Sequence, residues 1–294
     1  MVDEMVEFPA GDNVCAGRFV AVPAAEPRPC VVLCTGFGGT QDTPSIRAAA
    51  EAFAERGLAA LTFDYRNFGR SGGRPRQLVD LHGQLEDIHA AVRYARGRAD
   101  VSGDRIVLWG TSLGGGHVIT AAAADRQIAA VVAQVPFNGF PRRVEDRSTT
   151  TTLRLLAAMV RDRVHGWLGR EPFYIPAVGP SDTLAVMASE EARDVIAAMD
   201  SPTWQNRVAP RALLDMMRYR PADHVSALAM PLLVCAGTRD RETPVTSAAQ
   251  LAERAARGEL REYPYRHFDF YLPEFRRQVL EDQVEFLERV LGRP

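Results

Sequence analysis

The stretch Ile106-Val107-Leu108-Trp109-Gly110-Thr111-Ser112-Leu113-Gly114-Gly115-Gly116 joins an apolar run to a Gly-x-Ser-x-Gly pentapeptide and then to an alanine-rich segment. The apolar run predicts a buried strand, and the alanine-rich segment predicts a helix directly after it. Glycines at 110 and 114 allow strand and helix to approach closely, with Ser112 exposed in a strained turn. We therefore expect Ser112 at a helix N-terminus, where backbone N–H groups favour negative charge.

A second match to the same pentapeptide occurs at Gly69-Arg70-Ser71-Gly72-Gly73. It also follows an apolar run, but the next residues, Arg74-Pro75-Arg76, do not open directly into a packed helix. The context therefore favours Ser112 as a nucleophile and predicts that Ser71 is a loop residue beside the site.

Outward from this turn, strands and helices alternate along the chain. A polar turn at residues 11–13 predicts an antiparallel edge hairpin of residues 4–8 and 16–22. Further strands are predicted at 29–34, 58–63, 105–109, 128–135, 231–237 and 259–263, and helices at 42–56, 77–96, 113–124, 246–257 and 273–291. This order predicts an α/β fold, a doubly wound and mainly parallel sheet with helices on both faces. Ligands of such sheets bind beyond the carboxyl ends of the strands.

The alternation stops after residue 136 and resumes near residue 230. Between these points the sequence predicts helices near 149–168, 183–199 and 208–219, interrupted by prolines, and no strand. We expect residues 137–229 to form a helical lid inserted into one core domain, which comprises residues 1–136 and 230–294. The lid contains many methionines and aromatic residues that can line an apolar pocket or pack on one another: Met159, Trp167, Phe173, Tyr174, Met187, Met199, Trp204, Met216 and Met217.

Composition excludes several classes of function. The formal net charge is -2 and the pI about 6.3, so no basic field indicates a nucleic-acid partner. All 35 cationic Lys or Arg residues are arginine, which argues against Schiff-base chemistry and against a Walker-type phosphate loop. An acidic N-terminus without an apolar core, and no long apolar span, predict a cytoplasmic protein with no membrane partner.

The four cysteines predict neither disulfides nor a metal site. They occur at positions 15, 30, 34 and 235, mostly within apolar runs and without a Cys-x-x-Cys pair. His82 and His89 flank Glu86 on a predicted helix, but without a third ligand they indicate a solvated face. We expect no metal and no cofactor.

A serine nucleophile needs a base, and six histidines compete for this role. His267 follows the last predicted strand and therefore lies on the same sheet edge as Ser112. His117 lies within the helix after Ser112 and is expected to be packed there, and the other histidines lie on a helix face or in the lid. Position therefore favours His267 as the base.

The base needs a carboxylate, and Asp240 follows the strand that ends at Gly237. The strained strand-to-helix turn at Ser112 is typical of a nucleophile elbow, and the chain order Ser112, Asp240, His267 is typical of enzymes with such an elbow. Glu242 and Asp223 remain alternatives, whereas Asp269 is too close to His267 in sequence to reach the far side of its ring. Backbone N–H groups of Phe37, in a glycine-rich turn, and of Leu113 are predicted to form the oxyanion hole.

Together these segments resemble the α/β-hydrolase superfamily. The resemblance rests on residues 34–39, 63–73 and 110–115, on Asp240 with Thr243-Pro244, and on His267-Phe268. It implies the roles given above to Ser112, Asp240, His267, Phe37 and Leu113. Within the superfamily the chain is similar to the dienelactone-hydrolase and X-Pro-peptidase (cocaine-esterase)-like branches and to lidded polyketide-processing enzymes. Thr35, where many relatives have histidine, departs from the pattern and puts the hydrogen bonding of its loop in question.

The sequence thus predicts a serine hydrolase that cleaves a small-molecule carboxylic ester or thioester with an apolar or aromatic acyl group. Two alternatives stay open: an acyltransferase that passes the acyl group to a bound alcohol or amine, and a hydrolase fold used as a ligand-binding receptor. A homodimer is a further expectation.

Overall fold

The computed structural model describes residues 1–140, 148–181 and 183–292. Within these residues, ten strands run in chain order as β1 Val2–Ala10, β2 Asn13–Ala21, β3 Arg28–Cys34, β4 Ala59–Phe63, β5 Val101–Thr111, β6 Ile128–Gln134, β7 Val178–Gly179, β8 Met187–Ala188, β9 Leu232–Gly237 and β10 Gly258–Tyr263. Eight α-helices are described: α1 Pro44–Glu55, α2 Leu81–Arg96, α3 Leu113–Ala124, α4 Thr149–Trp167, α5 Ala192–Met199, α6 Ala212–Met216, α7 Val245–Arg254 and α8 Pro273–Leu291. Short 3₁₀ turns occupy Pro221–Asp223, Val225–Ala227 and His267–Tyr271.

Eight strands form one sheet in the order β1-β2-β4-β3-β5-β6-β9-β10. β2 pairs antiparallel with both β1 and β4, and every other pairing is parallel, which confirms the mainly parallel sheet and its edge hairpin. Six neighbouring strands of this sheet share one direction, and their carboxyl ends therefore meet along one edge: β4, β3, β5, β6, β9 and β10. The loops that carry Phe37, Ser112, Asp240 and His267 all leave from that edge.

The central strands of the sheet are buried on both faces, as their continuous apolar runs predict. Every residue of β3, β4 and β9 is buried, with an apolar core of valine, leucine, alanine and cysteine side chains between the flanking helices. All four cysteines are buried and free.

The turn between β5 and α3 depends on two glycines. A Cβ added at Gly110 would lie 2.2 Å from the carbonyl oxygen of Gly114, and one added at Gly114 would lie 2.3 Å from that of Cys34. The backbones of β5, α3 and the end of β3 are therefore in direct contact. Ser112, between the glycines, has a φ of 55°, a conformation that costs energy for a residue with a Cβ.

The structure corrects several predicted boundaries. Helix α2 begins at Leu81 rather than at Gln77, because Gln77 has a φ of 58° and Asp80 caps the helix by accepting a hydrogen bond from the N–H of Gly83. The segment between β6 and β9, called here the inserted segment, spans residues 137–229, of which 141–147 and 182 lie outside the described residues. It contains two short paired strands that were not predicted, and its helices α5 and α6 are shorter than expected. None of the helices in the described ranges is long and apolar enough to cross a membrane.

We predict that Gly114→Ala lowers the free energy of unfolding by about 2–3 kcal/mol, because the new methyl group meets backbone oxygens that cannot move aside. Thermal unfolding monitored by circular dichroism measures the change. Gly97→Ala is the matched control: Gly97 has a φ of -79° and its added Cβ would meet nothing closer than 3.5 Å. Equal stability of the two variants would contradict the proposed backbone contact.

Candidate active site

Ser112 lies at the sharp turn between β5 and α3, and it is partly exposed. Its N–H donates to the carbonyl of Gln134 at 2.9 Å, and its own carbonyl accepts from the N–H of Phe137 at 2.9 Å. Both partners lie at the end of the neighbouring strand β6. The strained backbone is therefore fixed on two sides, and the hydroxyl projects from the carboxyl edge of the sheet.

His267 lies in the turn after β10, where its ring is 4% exposed. Its Nε2 is 3.0 Å from Ser112 Oγ, and its Nδ1 is 2.7 Å from Asp240 Oδ2. The three side chains come from the ends of β5, β9 and β10. The structure therefore brings together the three residues selected from the sequence, in the geometry of a nucleophile, a base and a carboxylate that orients the base.

Asp240 is held by the loop that follows it. Its Oδ1 accepts from the N–H groups of Glu242 and Thr243, both at 2.8 Å, and its Oδ2 accepts from Thr243 Oγ1 at 2.8 Å. The Thr243 hydroxyl also lies 3.3 Å from His267 Nδ1. The role of this threonine was not predicted from the sequence. Its signal is the spacing Asp-x-x-Thr after a strand, in which an aspartate accepts from N–H groups two and three residues ahead.

The charges of His267 and Asp240 shift each other's pKa in the direction opposite to burial. Burial disfavours the imidazolium of His267, but the charge of Asp240 and its hydrogen bond outweigh burial, and the pKa of His267 is raised above 6.5. Burial likewise favours a neutral Asp240, yet the charge of His267, their hydrogen bond and the Thr243 donors hold the pKa of Asp240 below 3.8. The site is therefore suited to stabilising a positive charge on the imidazole when it accepts a proton.

Two backbone segments lie beside the Ser112 hydroxyl. Leu113 begins α3, so its N–H is among the first-turn donors that a helix cannot satisfy internally. The turn that contains Phe37 follows β3, and a Cβ on its neighbour Gly36 would lie 3.2 Å from Ser112 Cβ. Leu113 and the turn that contains Phe37 therefore lie next to Ser112, and the role of the Leu113 and Phe37 N–H groups as oxyanion donors stays a prediction.

Thr35 makes a hydrogen bond within the turn that contains Phe37. Its Oγ1 donates to the carbonyl of Gly39 at 3.2 Å, while the N–H of Gly39 donates to the carbonyl of Gly36 at 3.1 Å. A threonine in place of histidine therefore closes the loop through its own hydroxyl.

The second Gly-x-Ser-x-Gly segment is linked through Asp64 to Gln41, which follows the turn that contains Phe37. Ser71 is buried, accepts from the N–H of Ala16 at 2.8 Å and donates to the carbonyl of Asp64 at 2.6 Å. The buried Asp64 carboxylate accepts from the backbone N–H and the side-chain amide of Gln41, at 2.8 and 3.0 Å. Ser71 thus lies in a loop, as its context predicted, and its hydroxyl is used in buried structural hydrogen bonds.

A chain of buried polar side chains also ends at the elbow. The indole of Trp109 can only donate, and it donates to Gln283 Oε1 at 2.8 Å, which orients the amide of Gln283. Gln283 in turn donates to Gln134 Oε1 at 3.0 Å, and Gln134 donates to Thr111 Oγ1 at 3.1 Å. Thr111 lies 3.3 Å from the hydroxyl of Tyr271. No local pattern in the sequence links these residues, so they were not predicted.

Three other candidates, His117, His82 and Asp269, do not join the site. His117 is fully buried between Tyr219 Oη at 2.8 Å and Gln84 Oε1 at 3.0 Å, and burial lowers its pKa to about 3. The His82 side chain is 87% exposed and lies near Glu86. Asp269 accepts from the N–H of Arg266. Among the described residues, no group of three or more His, Cys, Asp or Glu side chains is arranged to hold a metal ion.

The inserted segment contacts the turn that contains Phe37. Thr40 Oγ1 lies 3.2 Å from Ser201 Oγ and accepts from Thr203 Oγ1 at 3.1 Å. A Cβ on Gly39 would lie 3.6 Å from the terminal methyl of Met199. Met199 is therefore close to the site, whereas Trp167, another candidate for the pocket, is 78% exposed at the end of α4.

The sheet order and the serine elbow define an enzyme of the α/β-hydrolase superfamily, a serine hydrolase. More closely, the chain belongs to the family described as serine aminopeptidase, S33, which it matches over residues 25–267.

Three similar proteins span nearly the whole chain. The chain is 37% identical to the quorum-quenching protein AidA of Acinetobacter baumannii (strain MDR-ZJ06), over 97% of this chain and 94% of AidA. It is 27% identical to the polyketide transferase ATR5 of Stachybotrys chlorohalonatus (strain IBT 40285), over 99% and 98% of the two chains. The crystal structure of the α/β hydrolase GrgF from Penicillium sp. sh18 superposes with a TM-score of 0.80 at 24% identity, covering 98% of this chain and 99% of GrgF.

We predict that the pKa of His267, which lies above 6.5 in the intact protein, falls in Asp240→Asn, because removal of the Asp240 charge leaves the effect of burial opposed only by the smaller effect of Glu242. Proton–carbon NMR of histidine-labelled protein measures both values, with the His267 signal assigned from its loss in His267→Gln. The internal control is His117, which should stay neutral down to about pH 4. A His267 pKa that is unchanged in Asp240→Asn would contradict the assigned charge interaction.

Proposed function

We propose that this protein cleaves a small-molecule carboxylic ester or thioester through an acyl-Ser112 intermediate. The observation that carries the proposal is the pair of short contacts from one imidazole: His267 Nε2 to Ser112 Oγ at 3.0 Å and His267 Nδ1 to Asp240 Oδ2 at 2.7 Å. Few structural roles require a partly exposed serine, a buried histidine and a buried aspartate in this order.

In the proposed mechanism, Ser112 Oγ attacks the carbonyl carbon while His267 Nε2 takes the hydroxyl proton. Asp240 orients the ring and stabilises the imidazolium, and the N–H groups of Phe37 and Leu113 bind the oxyanion. Collapse of the intermediate expels the alcohol or thiol, which receives the proton from His267. Water then attacks the acyl-Ser112 with His267 as the base. Because His267 must be neutral to act as a base, activity falls as the pH drops through its raised pKa.

For the substrate, we propose an apolar or aromatic acyl group and no cofactor. Met199 lies beside the turn that contains Phe37, and the inserted segment is tied to the same turn by Ser201 and Thr203. These contacts support residues 137–229 as a lid over a core built from residues 1–136 and 230–294. Placement near the dienelactone-hydrolase and X-Pro-peptidase branches, and a cytoplasmic location, stay predictions from the sequence.

We predict that a fluorophosphonate probe labels Ser112 and that Ser112→Ala abolishes the labelling, because this partly exposed hydroxyl lies 3.0 Å from an imidazole that a carboxylate orients. Intact-protein mass spectrometry and peptide mapping measure the adduct. Ser71→Ala is the control from the matching pentapeptide and should keep the label at Ser112. Label that persists in Ser112→Ala would overturn the nucleophile assignment.

A chain-length series of nitrophenyl esters and acyl thioesters identifies the acyl group, with an amino-acid nitroanilide included because the family description names a peptidase. We expect kcat/KM to rise with acyl length and the nitroanilide to be a poor substrate. A preference for acetyl esters contradicts the apolar pocket, and a preference for the nitroanilide contradicts the ester or thioester proposal.

Acyl transfer is the second candidate function, favoured by the similarity to a polyketide transferase along the whole chain. The two reactions share the acyl-Ser112 intermediate and differ only in what attacks it. If transfer operates, adding an alcohol or amine acceptor diverts the acyl group from the acid to a new ester or amide, which chromatography quantifies. Acid as the sole product with every acceptor tried would leave hydrolysis alone.

A further inference from the structure

Helix α4 presents a continuous apolar stripe to solvent. Its members are between 39% and 78% exposed and comprise Leu153, Leu156, Val160, Val164 and Trp167. They follow one another at intervals of three and four residues, which places them on one face of the helix. Single exposed apolar residues are common on protein surfaces, but a contiguous row of this length marks an interaction site.

The opposite face of α4 fixes this orientation. Leu155 and Met159 are buried there, and the buried Asp162 accepts from the N–H groups of Phe173 and Arg211 at 2.8 and 3.0 Å. Rotating the helix to hide the stripe would break these bonds and expose a buried carboxylate. The stripe therefore faces outward because of how α4 is anchored to the rest of the inserted segment.

The spacing of the stripe is symmetric about Val160. Leu156 and Val164 lie four residues on either side of it, and Leu153 and Trp167 lie seven residues on either side. Two such helices that pack antiparallel across a two-fold axis at Val160 bring Leu156 against Val164 and Leu153 against Trp167. An isologous interface requires this kind of self-complementarity, in which one patch pairs with its own copy. We propose that α4 forms the interface of a homodimer, with a second copy of this chain covering the stripe.

The area of the stripe suits this occupant. At the observed exposures the five side chains and the adjacent Leu168, which is 59% exposed, present roughly 600 Å² per copy, near the ~800 Å² that each partner contributes to a standard interface. Two copies would together bury roughly 1,200 Å², which lies at the lower end of the range for specific, stable interfaces. An area of this size is enough for a stable dimer and large for a surface that stays in water.

The charges around the stripe are compatible with a second copy. The stripe itself carries no charge, the Arg161 guanidinium lies 3.9 Å from the Phe173 ring centroid, and Arg163 pairs with Asp215 at 2.8 Å. Arg154 lies six residues from Val160, so its two copies would be about 18 Å apart along the antiparallel helices. This separation exceeds the Debye length of ~8 Å in physiological salt, so the repulsion between them is screened.

The first experiment measures mass in solution by sedimentation velocity. We expect a dimer for the wild-type protein and a rise of at least about 100-fold in its Kd for Val160→Glu, because two glutamates would face each other across the axis. Val14→Glu is the matched control, since Val14 is 49% exposed on β2 against 51% for Val160, and it should leave the dimer intact. Circular dichroism verifies that both variants are folded.

The second experiment tests the register by disulfide formation, which is simple to interpret because all four native cysteines are buried. Under mild oxidation Val160→Cys should crosslink to itself in high yield. Leu153→Cys and Trp167→Cys should crosslink when mixed and much less when separate, whereas Val14→Cys should stay monomeric on denaturing gels.

A wild-type monomer at concentrations up to about 100 µM overturns the proposal, since specific dimers form well below that range. A monomer that binds anionic vesicles through α4 overturns it in favour of a lipid surface, and a dimer insensitive to Val160→Glu overturns it in favour of another interface. Ser112→Ala should dimerise like the wild type. The dimer interface and the proposed catalytic function are therefore tested independently of each other.

Discussion

The contact between the backbones of β5, α3 and the end of β3 is the constraint on which the rest of the site depends. With glycine at 110 and 114, the first turn of α3 lies directly against the carbonyl groups that end β3. This contact forces the φ of Ser112 to a positive value, and the bonds of Ser112 to Gln134 and Phe137 offset the strain. It also sets the start of α3 beside the turn that contains Phe37. One packing contact thus determines where the hydroxyl points and which N–H groups lie next to it.

Burial and pairing act together in the histidine and aspartate. Each group alone would lose its charge in so dry a place, because desolvation penalises the ionised form. Asp240 stays ionised because three donors from its own loop and the imidazole satisfy both carboxylate oxygens. The loop therefore provides a charge that is already in place, and no solvent has to reorganise when a proton reaches His267. Thr243 matters for the same reason, since its hydroxyl contacts the carboxylate and lies near the ring.

The sequence predicted the sheet and the residues that meet at its edge because both follow from local patterns. Each of the three side chains stands directly after a predicted strand, and parallel strands necessarily bring their carboxyl ends together. Gln77 was misassigned because an apolar pattern carries no information about a positive φ. The inserted segment was only partly predicted, since its short strands and helices depend on contacts with distant residues. The chain from Trp109 through Gln283 to Thr111 could not be foreseen, because it joins residues up to 174 positions apart.

The inserted segment has two faces with different physical requirements. Toward the core it makes directional polar contacts, such as Thr203 with Thr40 and Tyr174 with the carbonyl of Arg76 at 3.0 Å. On its outer side, α4 presents the apolar stripe, whose side chains have no geometric preference and lower their free energy by leaving water. Directional bonds near the turn that contains Phe37 keep the segment in register with the site, and the apolar face can be covered without disturbing them. A partner on α4 would therefore stabilise the position of the segment relative to the turn that contains Phe37 while it contacts none of the reacting groups.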